Sequence, residues 1–197
     1  MLYSIAKLLI HAVARVLWRA RVYGSENVPL DGPLIIACNH VSFLDPPILG
    51  AFCPRRIYYM AKRELFAIPV FGPLIRAVGA YPVDREGSAL GAIKRSVEVL
   101  RAGGAVGIFP EGARNLTGGV EARQGAALLA SIAKAPVLPA AVVGGGRAAR
   151  FGTMKVAFGR PMSLDPSRKA TRDDLAKFTD AIMREIRTLT ERADGNP

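Results

Sequence analysis

Histidine and cysteine each occur only twice in these 197 residues, as His11 and His40 and as Cys38 and Cys53. Two cysteines in apolar surroundings, with no signal peptide ahead of them, exclude a disulfide framework and suit a reduced, cytosolic setting. Cys38 and His40 are too few ligands for zinc, and His11 is remote in sequence, so no metal is assigned. Acidic side chains are scarce, 16 against 27 basic, which leaves a net charge of +11. That balance favours anionic partners: nucleic acid, anionic lipid or phosphorylated small molecules. Aromatic residues reach only 7%. The basic residues are dispersed and no nucleic-acid-binding motif occurs, which argues against nucleic acid. Internal repeats and long linkers are also missing, and the length suits one domain with a full-sized core.

Long uninterrupted apolar runs are missing as well. Residues 2 to about 21 form one helical pattern without Gly or Pro, enough for about 30 Å. Between Lys7 and Arg19, however, no stretch without a basic or histidine residue exceeds three positions. A charge near the bilayer centre costs at least ~2.5 kcal/mol, so a span is disfavoured. Lys7, His11, Arg15 and Arg19 recur every four residues and share one stripe. Leu2, Ile5, Leu8, Leu9, Ile10, Val13, Val16, Leu17 and Trp18 occupy the other faces. This pattern fits either a helix packed on its own domain or an interfacial helix with its basic stripe among lipid headgroups. The purely cationic stripe favours the second, with residues 1–21 as a membrane-contacting helix ahead of a domain over 22–197.

The rest alternates. Val22 to Pro33 reads as a first strand and turn, and strand-like runs follow near 34–38, 57–60, 78–83, 105–109, 137–143 and 154–158. Helical patterns lie near 46–52, 69–76, 88–101, 121–134 and 171–191. The alternation predicts a single α/β domain with a mainly parallel or mixed sheet covered by helices. Gly144-Gly145-Gly146 has neither the dinucleotide spacing nor a following Gly-Lys-Ser/Thr, and reads as a mobile turn.

The chemistry concentrates at Asn39-His40-Val41-Ser42-Phe43-Leu44-Asp45-Pro46. His40 lies just past the buried run 34–38, where open α/β sheets place ligands. A carboxylate near it can hold Nδ1–H and leave Nε2 free as a general base. The competing reading makes Ser42 or Asp45 a helix cap followed by proline. Local pattern leaves the two even. A second segment, Phe109-Pro110-Glu111-Gly112-Ala113-Arg114-Asn115, follows another strand-like run and favours the first.

Together these residues resemble the glycerolipid acyltransferase family, whose best-studied members are lysophosphatidic acid acyltransferases. The first family motif, N-H-x-S-x-x-D, is matched at Asn39, His40, Ser42 and Asp45. The third, F-P-E-G-T-R-S, is matched at Phe109, Pro110, Glu111, Gly112 and Arg114, with Ala113 and Asn115 in place of two hydroxyl residues. Gly79 through Val83-Asp84-Arg85 matches the second motif and Val137-Leu138-Pro139 the fourth. Lys62 to Phe66 and Arg123-Gln124-Gly125 resemble further family blocks.

The resemblance implies an O-acyltransferase that moves an acyl group from acyl-CoA or acyl-carrier protein, used as a substrate without a cofactor. The expected acceptor is the free hydroxyl of 1-acylglycerol 3-phosphate, giving phosphatidic acid. His40 and Asp45 are the expected dyad, and Ser42 braces the loop or caps the helix. Arg85 and Arg114 are expected to grip the phosphate. Lys62 and Arg123 are further candidates, Gly112 belongs to the binding motif, and Glu111 is expected to orient Arg114 or accept a glycerol hydroxyl. Glycerol 3-phosphate, another lysophospholipid, or an amino or glycosyl lipid are alternative acceptors. A non-catalytic basic membrane or nucleic-acid binding protein is the reading from another class. The expected location is the cytoplasmic face of the cell membrane, monotopic or peripheral, on anionic lipid.

Overall fold

The computed structural model describes residues 2–83, 89–112, 122–145, 152–165 and 167–195. Among these, seven strands form one sheet in the order β1-β7-β6-β2-β5-β3-β4. They are β1 (Arg21–Tyr23), β2 (Leu34–Cys38), β3 (Ile57–Lys62), β4 (Ala80–Val83), β5 (Ala105–Ile108), β6 (Val137–Val143) and β7 (Lys155–Phe158). The strands β6, β2, β5, β3 and β4 run parallel, β7 returns antiparallel to β6, and β1 is parallel to β7. The sheet is therefore mixed at one side and parallel through its centre.

The apolar run of β2 is buried at all five positions, as a central parallel strand covered on both faces requires. Leu34, Ile36 and Cys38 face a core shared with helices α1 (Leu2–Leu17) and α2 (Asp45–Phe52). Ile35 and Ala37 face the opposite core, filled from α4 (Ala89–Arg101), α5 (Gly125–Ala133) and α6 (Arg172–Asp194). A short helix α3 (Phe71–Ala77) joins β3 to β4. α6 begins with a reciprocal capping box between Thr171 and Asp174, which satisfies two of the amides a helix start leaves unpaired.

Two features differ from the sequence expectation. α1 ends at Leu17, not near residue 21, because Arg19 adopts φ 43 and the Ala20 amide turns back to the Ala14 carbonyl at 3.1 Å. That is a left-handed helix closure made without glycine, and it frees Arg21–Tyr23 to pair with β7. The second difference is the orientation of the cationic stripe. Lys7 Nζ donates to the Cys53 carbonyl at 2.5 Å, and His11 Nδ1 lies 3.5 Å from the Ala51 carbonyl. The Arg15 guanidinium lies over the Phe52 ring. The stripe thus meets the C-terminal end of α2, where unpaired carbonyls and the helix dipole attract cations. Leu2, Ile5, Leu8, Leu9, Val13, Val16 and Leu17 are left exposed on the outer side of α1. Among the described residues no helix is long and apolar enough to cross a membrane.

Candidate active site

Parallel register brings the strand ends together. Cys38 of β2 pairs with Ala140 of β6, and Ala37 pairs with Ile108 of β5. The segments after these strands, 39–45, 109–112 and 144–145, consequently emerge on one edge of the sheet. Tyr59 of β3 pairs with Gly107, so Lys62, three residues further on, lies at the same edge.

Asn39 extends the β2–β6 ladder with its side chain. Its amide donates to the Val142 carbonyl at 3.0 Å, and its oxygen accepts from the Val142 amide at 2.8 Å. A side chain that copies the peptide pattern lets the main chain leave the sheet without orphaning β6. His40 then begins a tight loop whose centre is the Asp45 carboxylate. Asp45 Oδ2 accepts from the Val41 and Ser42 amides at 2.7 Å each and lies 3.2 Å from His40 Nδ1. An ionised carboxylate can only accept, so in the neutral imidazole this contact favours the tautomer with the proton on Nδ1 and Nε2 as the acceptor. The Asp45 side chain is fully buried and that of His40 is 17% exposed, so the imidazole is partly accessible and the carboxylate is sealed beneath it.

Asp45 does not act as a helix cap. It is the first residue of α2, Leu44 is the N-cap and makes no side-chain cap, and the carboxylate points back at its own loop. Ser42 braces that loop, its hydroxyl accepting from the Leu44 amide at 3.2 Å.

The segment after β5 supports His40 from two directions. The Phe109 ring stacks on the imidazole with centroids 4.4 Å apart. Glu111, almost wholly buried, accepts from the His40 amide through Oε2 at 2.9 Å. The expected role of Glu111 on Arg114 or on an acceptor hydroxyl is therefore joined by a structural one, tying the β5 loop to the β2 loop. Gly112 turns at φ 68, and a Cβ there would lie 2.9 Å from Arg123 Nε. The Arg123 amide donates to the Pro110 carbonyl at 2.8 Å. Gly112 and Arg123 thus share this edge with the dyad.

Around the dyad, burial pushes the Cys38 thiol well above its ordinary range, and the Asp45 carboxylate adds to the shift. Cys38 is a neutral core side chain, unsuited to act as a thiolate nucleophile. Among the described residues, no group of three His, Cys, Asp or Glu side chains could hold a metal ion.

The chain is also similar to known proteins. The family model described as Acyltransferase matches residues 19–143. A 1-acyl-sn-glycerol-3-phosphate acyltransferase of Bacillus subtilis is 36% identical over 179 residues, 88% of this chain and 89% of that protein. One of Streptococcus pneumoniae is 30% identical over 190 residues, 91% of this chain and 70% of that protein. The crystal structure of the 1-acyl-sn-glycerophosphate (LPA) acyltransferase PlsC from Thermotoga maritima superposes with a TM-score of 0.72 at 25% identity. That match covers 93% of this chain and 79% of the other. The chain belongs to the acyltransferase family.

Within this acyltransferase the edge gathers His40, Asp45, Glu111, Gly112 and Arg123, with Lys62 exposed at the end of β3. Arg85 and Arg114 lie outside the described residues, as do Ala113 and Asn115. Three contributors escaped the sequence reading of roles. Asn39 and Phe109 were visible only as motif letters. Gly145 belonged to a run read as a turn, yet a Cβ on it would lie 2.5 Å from Asp45 Oδ1 and 3.1 Å from Ser42 Cβ. No local signal marks it, because the contact joins positions 100 residues apart.

Proposed function

We propose that this acyltransferase transfers an acyl group from acyl-CoA or acyl-carrier protein to the free hydroxyl of 1-acylglycerol 3-phosphate, giving phosphatidic acid. The observation that carries the chemistry is the His40 Nδ1–Asp45 Oδ2 contact at 3.2 Å, with the imidazole 17% exposed above a fully buried carboxylate. The acceptor is supported by the names of the Bacillus subtilis and Streptococcus pneumoniae relatives. His40 Nε2 takes the proton of the acceptor hydroxyl as its oxygen attacks the thioester carbonyl carbon. The buried carboxylate stabilises the imidazolium that forms. Collapse of the tetrahedral intermediate breaks the C–S bond, and the imidazolium proton passes to the departing thiolate. A thioester is already activated, so no acyl-enzyme and no cofactor are needed. A panel of acceptors assayed for free thiol release with both donor types tests the reading. Turnover confined to glycerol 3-phosphate, or to an amino or glycosyl lipid, would reassign the acceptor. The two missing hydroxyls at Ala113 and Asn115 make that panel informative.

Arg85 and Arg114, with Lys62 and Arg123 in support, are the phosphate-binding cations in this reading. Arg114→Ala and Arg85→Ala should weaken the phosphorylated acceptor by about 10–100-fold, the worth of a charge-assisted hydrogen bond. The acyl donor should be little affected, and the effect should vanish with a monoacylglycerol. Equal penalties with charged and neutral acceptors would reject the clamp.

The protein attaches to one leaflet through α1, at the cytoplasmic face where these donors occur. Support comes from the exposed apolar arc, in which Leu8 is 71% and Val16 77% exposed. The cationic stripe serves α2, so insertion is driven mainly by apolar burial. Leu9→Glu and Val16→Glu together should release the protein from anionic vesicles while leaving its melting temperature unchanged, because neither side chain is buried in the fold. Flotation assays at low and high salt measure the first effect. Unaltered vesicle binding by this variant would exclude α1 as the anchor.

A further inference from the structure

A second exposed apolar surface stands apart from α1. Ala67, Ile68, Pro69, Val70 and Phe71 are five consecutive exposed residues without a polar side chain, and Leu74 adds to them one turn later. They form the tip between the 3-10 turn Arg63–Ala67 and α3. That turn leaves β3 at the sheet edge that carries His40. A run of this length on a surface is unfavourable in water unless something covers it.

The backbone sharpens the point. Val70 is 83% exposed and adopts φ 64, ψ −48, and the Phe71 amide donates to the Pro69 carbonyl at 2.7 Å. This is the rare γ-turn, strained for any side chain and most of all for a β-branched one. Glycine or asparagine would fit the turn better, and the valine side chain gains little from packing. The loop is nonetheless held firm at its base: the Gly72 amide donates to the Ile68 carbonyl at 2.8 Å, and the Arg76 guanidinium lies over the Phe66 ring. The structure therefore maintains a strained apolar point, and strain of this kind clusters at functional sites.

We infer that the tip Ile68–Phe71, with Leu74, inserts into the acyl boundary of an anionic phospholipid bilayer, as a contact separate from α1. Its charge surroundings match that occupant. Lys62, Arg63 and Arg76 flank the tip along the chain against one acidic side chain, Glu64, whereas Arg55 is held at the far end of β3 by the carbonyls of Pro29, Gly32 and Gly103. Basic residues beside an apolar point place anionic headgroups around a hydrophobic insertion. The location matches too. An acceptor whose acyl tail lies in the bilayer reaches His40 most directly if this edge of the sheet rests on the membrane. That last step relies on the lipid-acceptor reading proposed above; the surface and its strain do not.

The test uses the full chain with Val70→Cys carrying an environment-sensitive fluorophore, both native cysteines being buried. Adding vesicles of phosphatidylcholine and phosphatidylglycerol should shift the emission to the blue, and quenchers fixed at shallow acyl depth should quench it. The same label at Lys169→Cys, on an exposed segment before α6, should not respond. Unlabelled Val70→Gly should lower vesicle partitioning by roughly tenfold, as expected for removing one valine-sized side chain from hydrocarbon. Its melting temperature should rise by about 2–4 °C as the strain is relieved. A label silent toward vesicles that still bind the protein would overturn the inference and leave α1 as the sole contact. A blue shift that grows with protein concentration in the absence of lipid would overturn it in favour of a second copy covering the tip. A lowered melting temperature in Val70→Gly would show that the valine serves the fold. Because these readouts need no turnover, lipid insertion without acylation of any lysophospholipid would reject the proposed function while upholding the tip.

Discussion

His40→Ala is expected to lower turnover by about 10²–10⁴-fold, the usual contribution of a positioned general base. The fold should persist, since the imidazole sits on a loop at the sheet edge and the fully buried residues nearby belong to β2 and α2. Asp45→Asn should cost less than His40→Ala while remaining severe. Asparagine can still accept from the Val41 and Ser42 amides, which approach Oδ2 at 2.7 Å. It cannot supply the negative charge that stabilises the imidazolium. Initial rates of thiol release, with circular dichroism and melting curves as controls, measure both. A correctly folded His40→Ala enzyme with near-normal kcat would sink the dyad mechanism.

Much of this arrangement is legible in the sequence, for identifiable reasons. The runs 34–38, 105–108 and 137–143 are almost wholly apolar, and every one of their positions is buried. A strand in the middle of a parallel sheet has no polar face to show, so its run is unbroken. Once these strands are parallel, residues that follow them must meet at one edge, which is why motif spacing brought His40 and Glu111 together. The side on which α1 presents its stripe was not legible. Periodicity states that Lys7, His11 and Arg15 share a face, but not what that face meets. The answer depends on the carbonyls of Ala51 and Cys53, which become available only when α2 ends beside α1. The end of α1 was hidden for a similar reason: Arg19 takes a conformation usually given to glycine. Tertiary pairing of Arg21 with Lys155 outweighs the helical preference of residues 18–20.

Gly145→Ala is expected to reduce kcat on the order of 10²-fold with little change in KM for either substrate. The backbone there is not left-handed, so alanine is conformationally acceptable, and the conflict is purely one of space. The new methyl would lie 2.5 Å from Asp45 Oδ1, well inside contact distance, and 3.1 Å from Ser42 Cβ. Asp45 is fully buried on the first turn of α2, and Oδ1 has no hydrogen-bond partner among the described residues. The methyl therefore presses on the one carboxylate oxygen that no hydrogen bond holds, and the rotation that relieves it would draw Oδ2 from His40 Nδ1 and strain its bonds to the Val41 and Ser42 amides. A misplacement of about 1 Å in a catalytic group is enough for a loss of this size. Because the effect passes through Asp45, it should be strongly non-additive: Gly145→Ala should add little to Asp45→Asn. Gly152→Ala, where a Cβ would meet nothing within 4 Å, provides the comparison and should be close to neutral. A purely structural role for Gly145 predicts something different, with loss of melting temperature, equal damage in both backgrounds and restored activity on cooling. Additive losses in the double variant would therefore remove Gly145 from the positioning of the dyad.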